Sequence, residues 1–386
     1  MRFFLLIILF ASINAQSIIT GRVTDSRTGD PLVGVNIFFS RTTYGSTTDN
    51  NGFYTLDNIP PGRYELLVSM IGYKLLKESF QIDTDIKIDR DYKLVSQPIR
   101  MKEIVVSAKS NREWKKNYRR FKSAFLGMSW NAEYCRIMND YVISFKKNEH
   151  VLEAFASEPI IVENKGLGYR VFYTLEHFSD DKRIIRYAGD SFFEEMEPES
   201  SQQSRQWEKN RKLAYRGSFR HFLYTLSSRF DARFDVEADS LVEIQYWERM
   251  AGTRNDPLIQ EGFRVSLPKN FSRYDPKYLP LGSDTLMFLT ENENELYLVF
   301  KGKMRIVYTK ESEEHNFTPE QRGQTLKPYQ TSFITLNKEK VLVDKKGRYT
   351  ETFMIEQNGE MAWERVADQL PWDYLPTNHK LSLIHI

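Results

Sequence analysis

The sequence predicts a mainly β protein, with an N-terminal seven-stranded β-sandwich followed by a β-rich α+β second domain with a few helices. Three observations predict it. Apolar residues alternate with period two from Ile18 to about Leu94, strong turn residues separate those short runs, and beyond residue 126 further alternating runs are interspersed with segments of helical period. Aromatic residues make up 14% of the chain, a content suited to filled β cores and to contact surfaces. At ~100 to 200 residues per domain, 386 residues suggest two or three domains.

The elements follow in chain order. Met1 and Arg2 form a short basic start, Phe3 to Ala11 an apolar run, and Ile13-Asn14-Ala15 a small residue at a cut, which predicts a signal peptide over 1–15 removed before Gln16. The apolar run is too short for a bilayer span, which takes ~20 residues. With no cysteine near the cut, a lipid-anchored form is not expected. The sandwich is expected over 16–96, a linker strand and basic amphipathic helix over 97–126, and the second domain over 127–386.

Within the sandwich, Val33, Val35, Ile37 and Phe39 fall on one strand face, and Tyr64, Leu66, Val68 and Met70 on another. Asp49-Asn50-Asn51-Gly52 tolerates positive φ, and Pro60-Pro61-Gly62 couples a fixed φ to a free one, so each reverses the chain. Four or more hairpin-linked strands in about 80 residues point to a sandwich.

The ordered motifs G-x-V-x-D-x-x-T-G-x-P-L-x-G-V-x-I, T-x-D-x-x-G-x-Y-x-L and P-x-G-x-Y-x-L-x-V-S-x-I-G-Y run from Gly21 to Tyr73. They resemble the carboxypeptidase-regulatory-like domain. The resemblance implies a transthyretin-like sandwich of about seven strands, often found ahead of TonB-dependent outer-membrane receptors. Its residues read as scaffold: Gly21, Gly29, Gly34, Gly52, Gly62, Gly72 and Pro31 shape turns, Asp25 and Asp49 bond nearby amides, and Tyr64 and Tyr73 fill the core. The family name implies no peptidase, because the resembling part is the accessory domain and carries no catalytic zinc site.

Met101-Lys102-Glu103-Ile104-Val105-Val106 resembles the short strand that follows this domain in the receptors. The remaining chain is too short for a ~22-stranded barrel and lacks its repeated ten-residue alternating segments. Over 109–126, Trp114, Tyr118, Phe121 and Phe125 give one aromatic face, with Lys115, Lys116, Arg119, Arg120 and Lys122 largely elsewhere. Such a helix either lies on an anionic membrane surface or packs its aromatic face on the second domain, and the second is the simpler expectation.

Strands are expected at 141–146, 151–155, 159–163, 169–177, 183–188, 241–247, 295–309, 331–336 and 349–356, helices at 201–215 and 218–228, and long loops at 190–210 and 251–290. FLGMSWNAEYCRIMN, VLEAFASEPIIVENKGLGYRVFY, YRGSFRHFLYTL and WERVADQLP resemble the C-terminal region of secreted bacterial proteins that carry the same N-terminal domain, a family without an established activity. That resemblance covers nearly the whole chain and implies architecture and compartment.

No catalytic set is complete. His150-Val151-Leu152-Glu153 is an H-x-x-E, but it reads as strand, and His177, His221 and His315 stand at spacings unlike a metallocarboxypeptidase's. Gly189-Asp190-Ser191-Phe192 resembles the nucleophile block of GDS-type esterases, yet no histidine follows an aspartate by three residues. Asp190, Glu194, Glu195, Glu197 and Glu199 read as a solvated acidic run rather than a calcium loop. Asp83, Asp85, Asp89 and Asp91 alternate with Ile82, Ile86 and Ile88 as the polar face of a strand. Cys135, the only cysteine, reads as a buried thiol, and no nucleotide or zinc motif is present.

A net charge of +2 with 27% charged residues gives no sign of a polyanionic partner. The sequence therefore points to an exported protein, periplasmic or outer-membrane-associated in a diderm bacterium, with no transmembrane span in the mature chain. Its expected partners are envelope proteins or glycans, without nucleic acid, and no cofactor, metal or catalytic residue is assigned. The rival expectation is a secreted hydrolase whose active site, in the second domain, is dispersed along the sequence; exposed Trp and Tyr lining one open face would instead mark glycan binding.

Overall fold

The computed structural model describes residues 17–83, 85–97, 108–231, 256–268, 278–281, 286–292, 295–315, 317, 327–349 and 353–376. It is mainly β, with few helices. By its contacts the chain divides into two units, one of Met1–Ser40 with Tyr44–Arg100 and one of Arg41–Thr43 with Met101–Ile386. The signal segment, the strand expected at Met101–Val106 and the strand expected at 241–247 lie outside the described residues.

In the first unit β1 (Ser17–Asp25) buries every second residue, the alternation of a half-buried strand. It pairs antiparallel with β4 (Phe53–Ile59), and on its other edge with β7 (Lys87–Asp89) and then β8 (Tyr92–Leu94), both parallel. The facing sheet runs in the order β3 (Gly45–Thr47), β2 (Asn36–Phe39), β5 (Gly62–Ser69), β6 (Leu76–Ile82). Ile19, Val23, Val35, Ile37, Phe39, Leu66 and Val68 are fully buried in the core cluster formed with Tyr54 and Tyr64. Val33 departs from the expected face: it sits in the turn before β2 and is 48% exposed.

Two aspartates hold turns of the sandwich, Asp25 buried and Asp49 exposed. Asp25 Oδ1 accepts from the Arg27 and Thr28 amides at 2.8 and 3.0 Å, and its Oδ2 accepts the Tyr73 hydroxyl at 2.9 Å. Asp49 Oδ1 accepts from the Asn51 and Phe53 amides. Gly52 has φ +79°, and a Cβ there would lie 2.6 Å from the Val23 carbonyl oxygen, so the turn requires glycine.

The second unit contains two hydrophobic cores. The first lies under a sheet ordered β10 (Ile143–Asn148), β11 (Val151–Ala156), β13 (Tyr169–Asp180), β12 (Ile160–Asn164), β9 (Cys135–Ile137), with β14 (Ile185–Glu195) along β13. Helix α1 (Ala108–Leu126) packs on it with the predicted aromatic face. Phe121 and Phe125 are fully buried, Phe121 stands edge-on to Phe178 at 4.8 Å and Phe125 edge-on to Tyr173 at 5.0 Å. The Trp114 indole donates to the Ile143 carbonyl, and Arg120 grips Asp180 through its carboxylate and its carbonyl. Of the two expectations for this helix, packing on its own unit is the one observed; its aromatic face is not available to a membrane.

Helices α2 (Ser201–Tyr215) and α3 (Phe219–Asp231) lead from that core to the second one, since Ala214 lies in the first cluster and Phe219 and Phe222 in the other. The rest comprises α4 (Pro257–Glu261), β15 (Phe263–Pro268), β16 (Tyr278–Leu281), β17 (Met287–Leu289), β18 (Glu295–Leu298), β19 (Lys303–Tyr308), β20 (Gln330–Leu336), β21 (Val341–Asp344), β22 (Ile355–Gly359) and α5 (Glu360–Trp363). They form two sheets, β16-β15-β19-β20-β22 and β17-β18-β21.

Four expectations are corrected. The loop at 190–210 is instead the end of β14 and most of α2, because Glu194 and Glu195 are held by Arg170 and Arg211. The loop at 251–290 contains α4, β15, β16 and β17. The run 295–309 is two strands broken at Gly302, whose φ is +83°. The last strand begins at Ile355 rather than 349.

Candidate functional site

An open groove of about 740 Å³ lies in the second unit. Its floor is the turn between β12 and β13, residues 165–168, and helix α2 fixes that turn. Trp207 Nε1 donates to the Lys165 carbonyl, Asn210 Nδ2 to the Gly166 carbonyl and Arg211 Nε to the Leu167 carbonyl, each at 2.8 Å. Three carbonyls with no ladder partner are thus satisfied by one helix face. Gly168, at φ +72°, makes this fit possible, since a Cβ would come within 2.3 Å of the Trp207 ring.

The helix itself is set by a local signal. Ser200 Oγ accepts from the Gln203 amide, while Gln203 Oε1 accepts from the Glu199 amide, a reciprocal arrangement close to a capping box. This start presents Gln202, Gln203 and Gln206 along the groove. Gln206 Nε2 donates to Asn210 Oδ1 at 2.8 Å, while Gln206 Oε1 and the Gln203 side-chain nitrogen Nε2 have no bond among the described residues.

The opposite wall is the single 3₁₀ turn Trp130–Tyr134. Tyr134 is 56% exposed and Trp130 partly exposed, their rings 6.4 Å apart and steeply inclined. Beneath them Asn131 and Asn164 both donate to the Ala367 carbonyl. The groove therefore joins two aromatic faces to a row of carboxamides on a rigid floor.

A smaller cavity of about 250 Å³ lies where α2, α3, α4 and the end of β19 meet, lined by Lys212, Tyr215, Arg216, His221, Glu261, Tyr308, Lys310 and Pro376. His221 is 1% exposed. Its Nδ1 accepts from the Gly217 amide at 3.1 Å and its Nε2 lies 3.6 Å from Glu261 Oε2. A backbone N–H can only donate, so Nδ1 is unprotonated and the neutral ring carries its proton on Nε2. Among the described residues, no serine, threonine or cysteine lines this cavity.

Burial raises a set of carboxyls above their ordinary values. Burial pushes Glu360 up to about 8 and Asp368 and Glu311 to about 7. Asp368 accepts the Ser129 hydroxyl, and Glu314, also raised by burial, accepts the Trp130 amide and the Trp363 indole. Among the described residues no three or more His, Cys, Asp or Glu side chains are gathered as a metal site.

The residues weighed in the sequence are dispersed. His150 is in the turn before β11 while Glu153, on that strand, pairs with Lys146. His177 is exposed, bonded to Ser179 Oγ at 3.1 Å. Asp190 and Ser191 are buried within β14, and Glu199 borders the groove. His315 is exposed, and Cys135 is buried with its thiol pushed up by burial, as expected of a packed thiol. The reading missed Trp130, Tyr134 and the Gln202–Gln206 row. The signals were a tryptophan and a tyrosine four residues apart, and three glutamines within five residues just after a serine cap.

The fold defines a β-sandwich unit joined in one chain to an α+β unit. The family model described as the CarboxypepD_reg-like domain matches residues 19–106, the region that contains the motifs resembling it, and leaves residues 107–386 outside the match. No curated protein matches the chain. Among solved structures it is similar to a provisionally assigned carbohydrate binding protein from Bacteroides uniformis ATCC 8492, at 11% identity and a TM-score of 0.18, over 47% of this chain and 99% of that one. A membrane-associated protein of unknown function, provisionally so described, from Bacteroides fragilis NCTC 9343 is similar at 13% identity and TM-score 0.18, over 42% and 65% of the two chains. The 3-chlorocatechol 1,2-dioxygenase from Rhodococcus opacus 1CP is similar at 14% identity and TM-score 0.17, over 22% of this chain and 61% of that one, so this chain spans less than two thirds of the dioxygenase. No helix among the described residues is long and apolar enough to cross a membrane.

Proposed function

We propose that this chain is a non-enzymatic cell-envelope protein that binds glycan in the groove of its second unit, with the sandwich serving as an interaction module. The observation that supports it is the pairing of exposed Tyr134 and partly exposed Trp130 with Gln202, Gln203 and Gln206 across one groove. A sugar ring offers an apolar C–H face and a rim of hydroxyls. Aromatic faces take the first, and carboxamides, each both donor and acceptor, take the second. The basic start and apolar run at residues 1–15 support export to the periplasm or to the outer membrane.

The rival hydrolase reading rests on the His221–Glu261 approach inside the small cavity. Among the described residues no serine, threonine or cysteine stands on the cavity wall, and His221 Nδ1 accepts a backbone amide. Calorimetric titration of the full chain against a panel of neutral oligosaccharides tests the glycan reading. Tyr134→Ala and Trp130→Ala should each weaken binding about tenfold, as loss of a stacked ring does. Tyr141→Ala, which removes a 75% exposed tyrosine that does not line the groove, should leave binding unchanged. No saturable binding, or equal loss in all three variants, overturns it.

A further inference from the structure

We infer that the cavity around His221 is a binding site for a small oxyanion, a carboxylate, sulfate or phosphate group, with Glu261 as the internal competitor that the ligand displaces from its cationic partners. The site is separate from the groove and the inference does not depend on glycan binding there.

The donor set carries the argument. Lys212, Arg216 and Lys310 line the cavity with one carboxylate, Glu261. Lys310 Nζ lies 3.3 Å from Glu261 Oε2, the same oxygen that His221 Nε2 approaches at 3.6 Å. Because the Gly217 amide occupies Nδ1, the proton on Nε2 faces the carboxylate as a donor. Tyr215 and Tyr308 add hydroxyls that burial keeps protonated. Among the described residues, every polar side chain on the wall other than Glu261 is a cation or carries an N–H or O–H donor. One carboxylate oxygen already sits against Lys310 and His221, so the geometry for holding an oxyanion is in place.

The surrounding charges do not cancel this bias. Lys212 also pairs at 3.4 Å with Glu208, one turn before it on α2. Arg216 is exposed, with no hydrogen-bond or ion-pair partner for its guanidinium among the described residues. Glu311 lies in the field of Arg216 and Tyr308, and burial holds it up to about 7, which reduces its competing charge.

Two glycines give the cavity its close walls. Gly217, at φ +72°, lets the Tyr308 ring approach; a Cβ would stand 2.9 Å from it. Gly262, the left-handed cap that ends α4 just after Glu261, lies under the Lys310 side chain, and a Cβ there would meet that side chain at 2.8 Å. The space of about 250 Å³ holds on the order of eight waters at ~30 Å³ each, room for an oxyanion group and a few attached atoms.

The test is calorimetric titration of the full chain with sodium sulfate, sodium phosphate and sodium glucuronate at constant ionic strength, against sodium chloride and glucose. Saturable binding of at least one oxyanion, without binding of chloride or glucose, is expected. Sulfate or phosphate alone would identify a free inorganic anion as the ligand, and glucuronate alone an acidic saccharide. Arg216→Gln and Lys310→Gln should each weaken binding about tenfold, the effect of losing one charge-assisted contact, and Glu261→Gln should tighten it. Arg216 is exposed, so its variant separates ligand loss from misfolding, and an unchanged melting temperature without ligand is the control. Equal binding of chloride, no saturable binding of any oxyanion, or weaker binding by Glu261→Gln overturns the inference.

Discussion

The two units differ in how much chain their buried polar ties span. In the sandwich the partners lie within one short stretch of chain: Thr48 Oγ1 accepts from the Val35 amide and donates to the Leu32 carbonyl, Asp25 bonds the Arg27 and Thr28 amides, and the longer ties, Tyr73 to Asp25 and Ser17 to the Asp83 carbonyl, span 48 and 66 positions. In the second unit they are remote. Ser129 donates to Asp368 across 239 positions, Asn164 to the Ala367 carbonyl across 203, and Arg365 to the Ala124 carbonyl across 241. The segment 365–368 thus closes the first core of the second unit from the far end of the chain, with Val366 and Ala367 fully buried in it. Local partners make a fold that can be read and assembled piecewise; remote partners make one that depends on late closure.

The most severe break of this contrast is removal of everything from Arg365 onward. The second unit should lose its cooperative transition, because Asn131, Asn164 and Ser129 lose partners at once and the buried Val366 and Ala367 leave a void. All six tryptophans lie at residue 114 or later, so their emission monitors the second unit, while hydrogen exchange at Ile19, Ile37 and Val68 monitors the sandwich. Retained protection there with a lost tryptophan transition is expected; loss of both would show the division into units to be wrong.

A narrower break is Asn164→Ala. It orphans the Leu167 amide and removes a donor from the Ala367 carbonyl, both buried. The expected loss is about 3 kcal/mol in chemical denaturation followed by tryptophan emission. A loss below about 1 kcal/mol would mean that the remote bonds are not what holds this core closed.

The carboxyls sharpen the contrast through pH. Glu360, Glu311 and Asp368 are raised by burial to between about 7 and about 8. A raised carboxyl contributes stability that is full below its ordinary value and is lost as pH climbs through the folded value. The second unit should therefore weaken between pH 5 and 8, by an amount on the order of a few kcal/mol at about 1.4 kcal/mol per unit. Glu360→Gln should be close to neutral at pH 5 and stabilising at pH 8. A melting temperature that rises over this interval contradicts the assignment.

How much of this was legible in the sequence follows the same division. The strands of the sandwich and its turns at Asp49–Gly52 and Pro60–Gly62 could be read because alternation and turn residues act within a few positions. Helix α2 and the aromatic face of α1 were legible for the same reason, as 3.6-residue patterns. The end of β14 was read as loop because Asp190, Glu194 and Glu195 look solvated until Arg170 and Arg211 arrive from other elements. The groove escaped because its two walls, Trp130–Tyr134 and Gln202–Gln206, are some 70 residues apart and become neighbours only through the turn at 165–168. In the cavity His221 stood out as a histidine, but Glu261 and Lys310, which give it a role, had no local pattern to mark them.

The smallest expected effect tests the sandwich side alone. The Asp25 carboxyl is held below its ordinary value, first by the Thr28 and Arg27 amides and then by the Tyr73 hydroxyl. A lowered carboxyl contributes stability that is present above the ordinary value of 3.8 and lost as pH falls through the folded value. The sandwich should accordingly weaken below about pH 4, the reverse of the second unit, whose carboxyls weaken it above pH 5. Asp25→Asn keeps an oxygen for the two amides but removes the charge, so hydrogen-exchange protection of the sandwich should change little at pH 7 and should no longer fall as the solution is acidified. If protection in Asp25→Asn falls with acid as steeply as in the unmodified chain, the acid sensitivity belongs to other groups, and the opposition between the units would have to rest on its remote bonds alone.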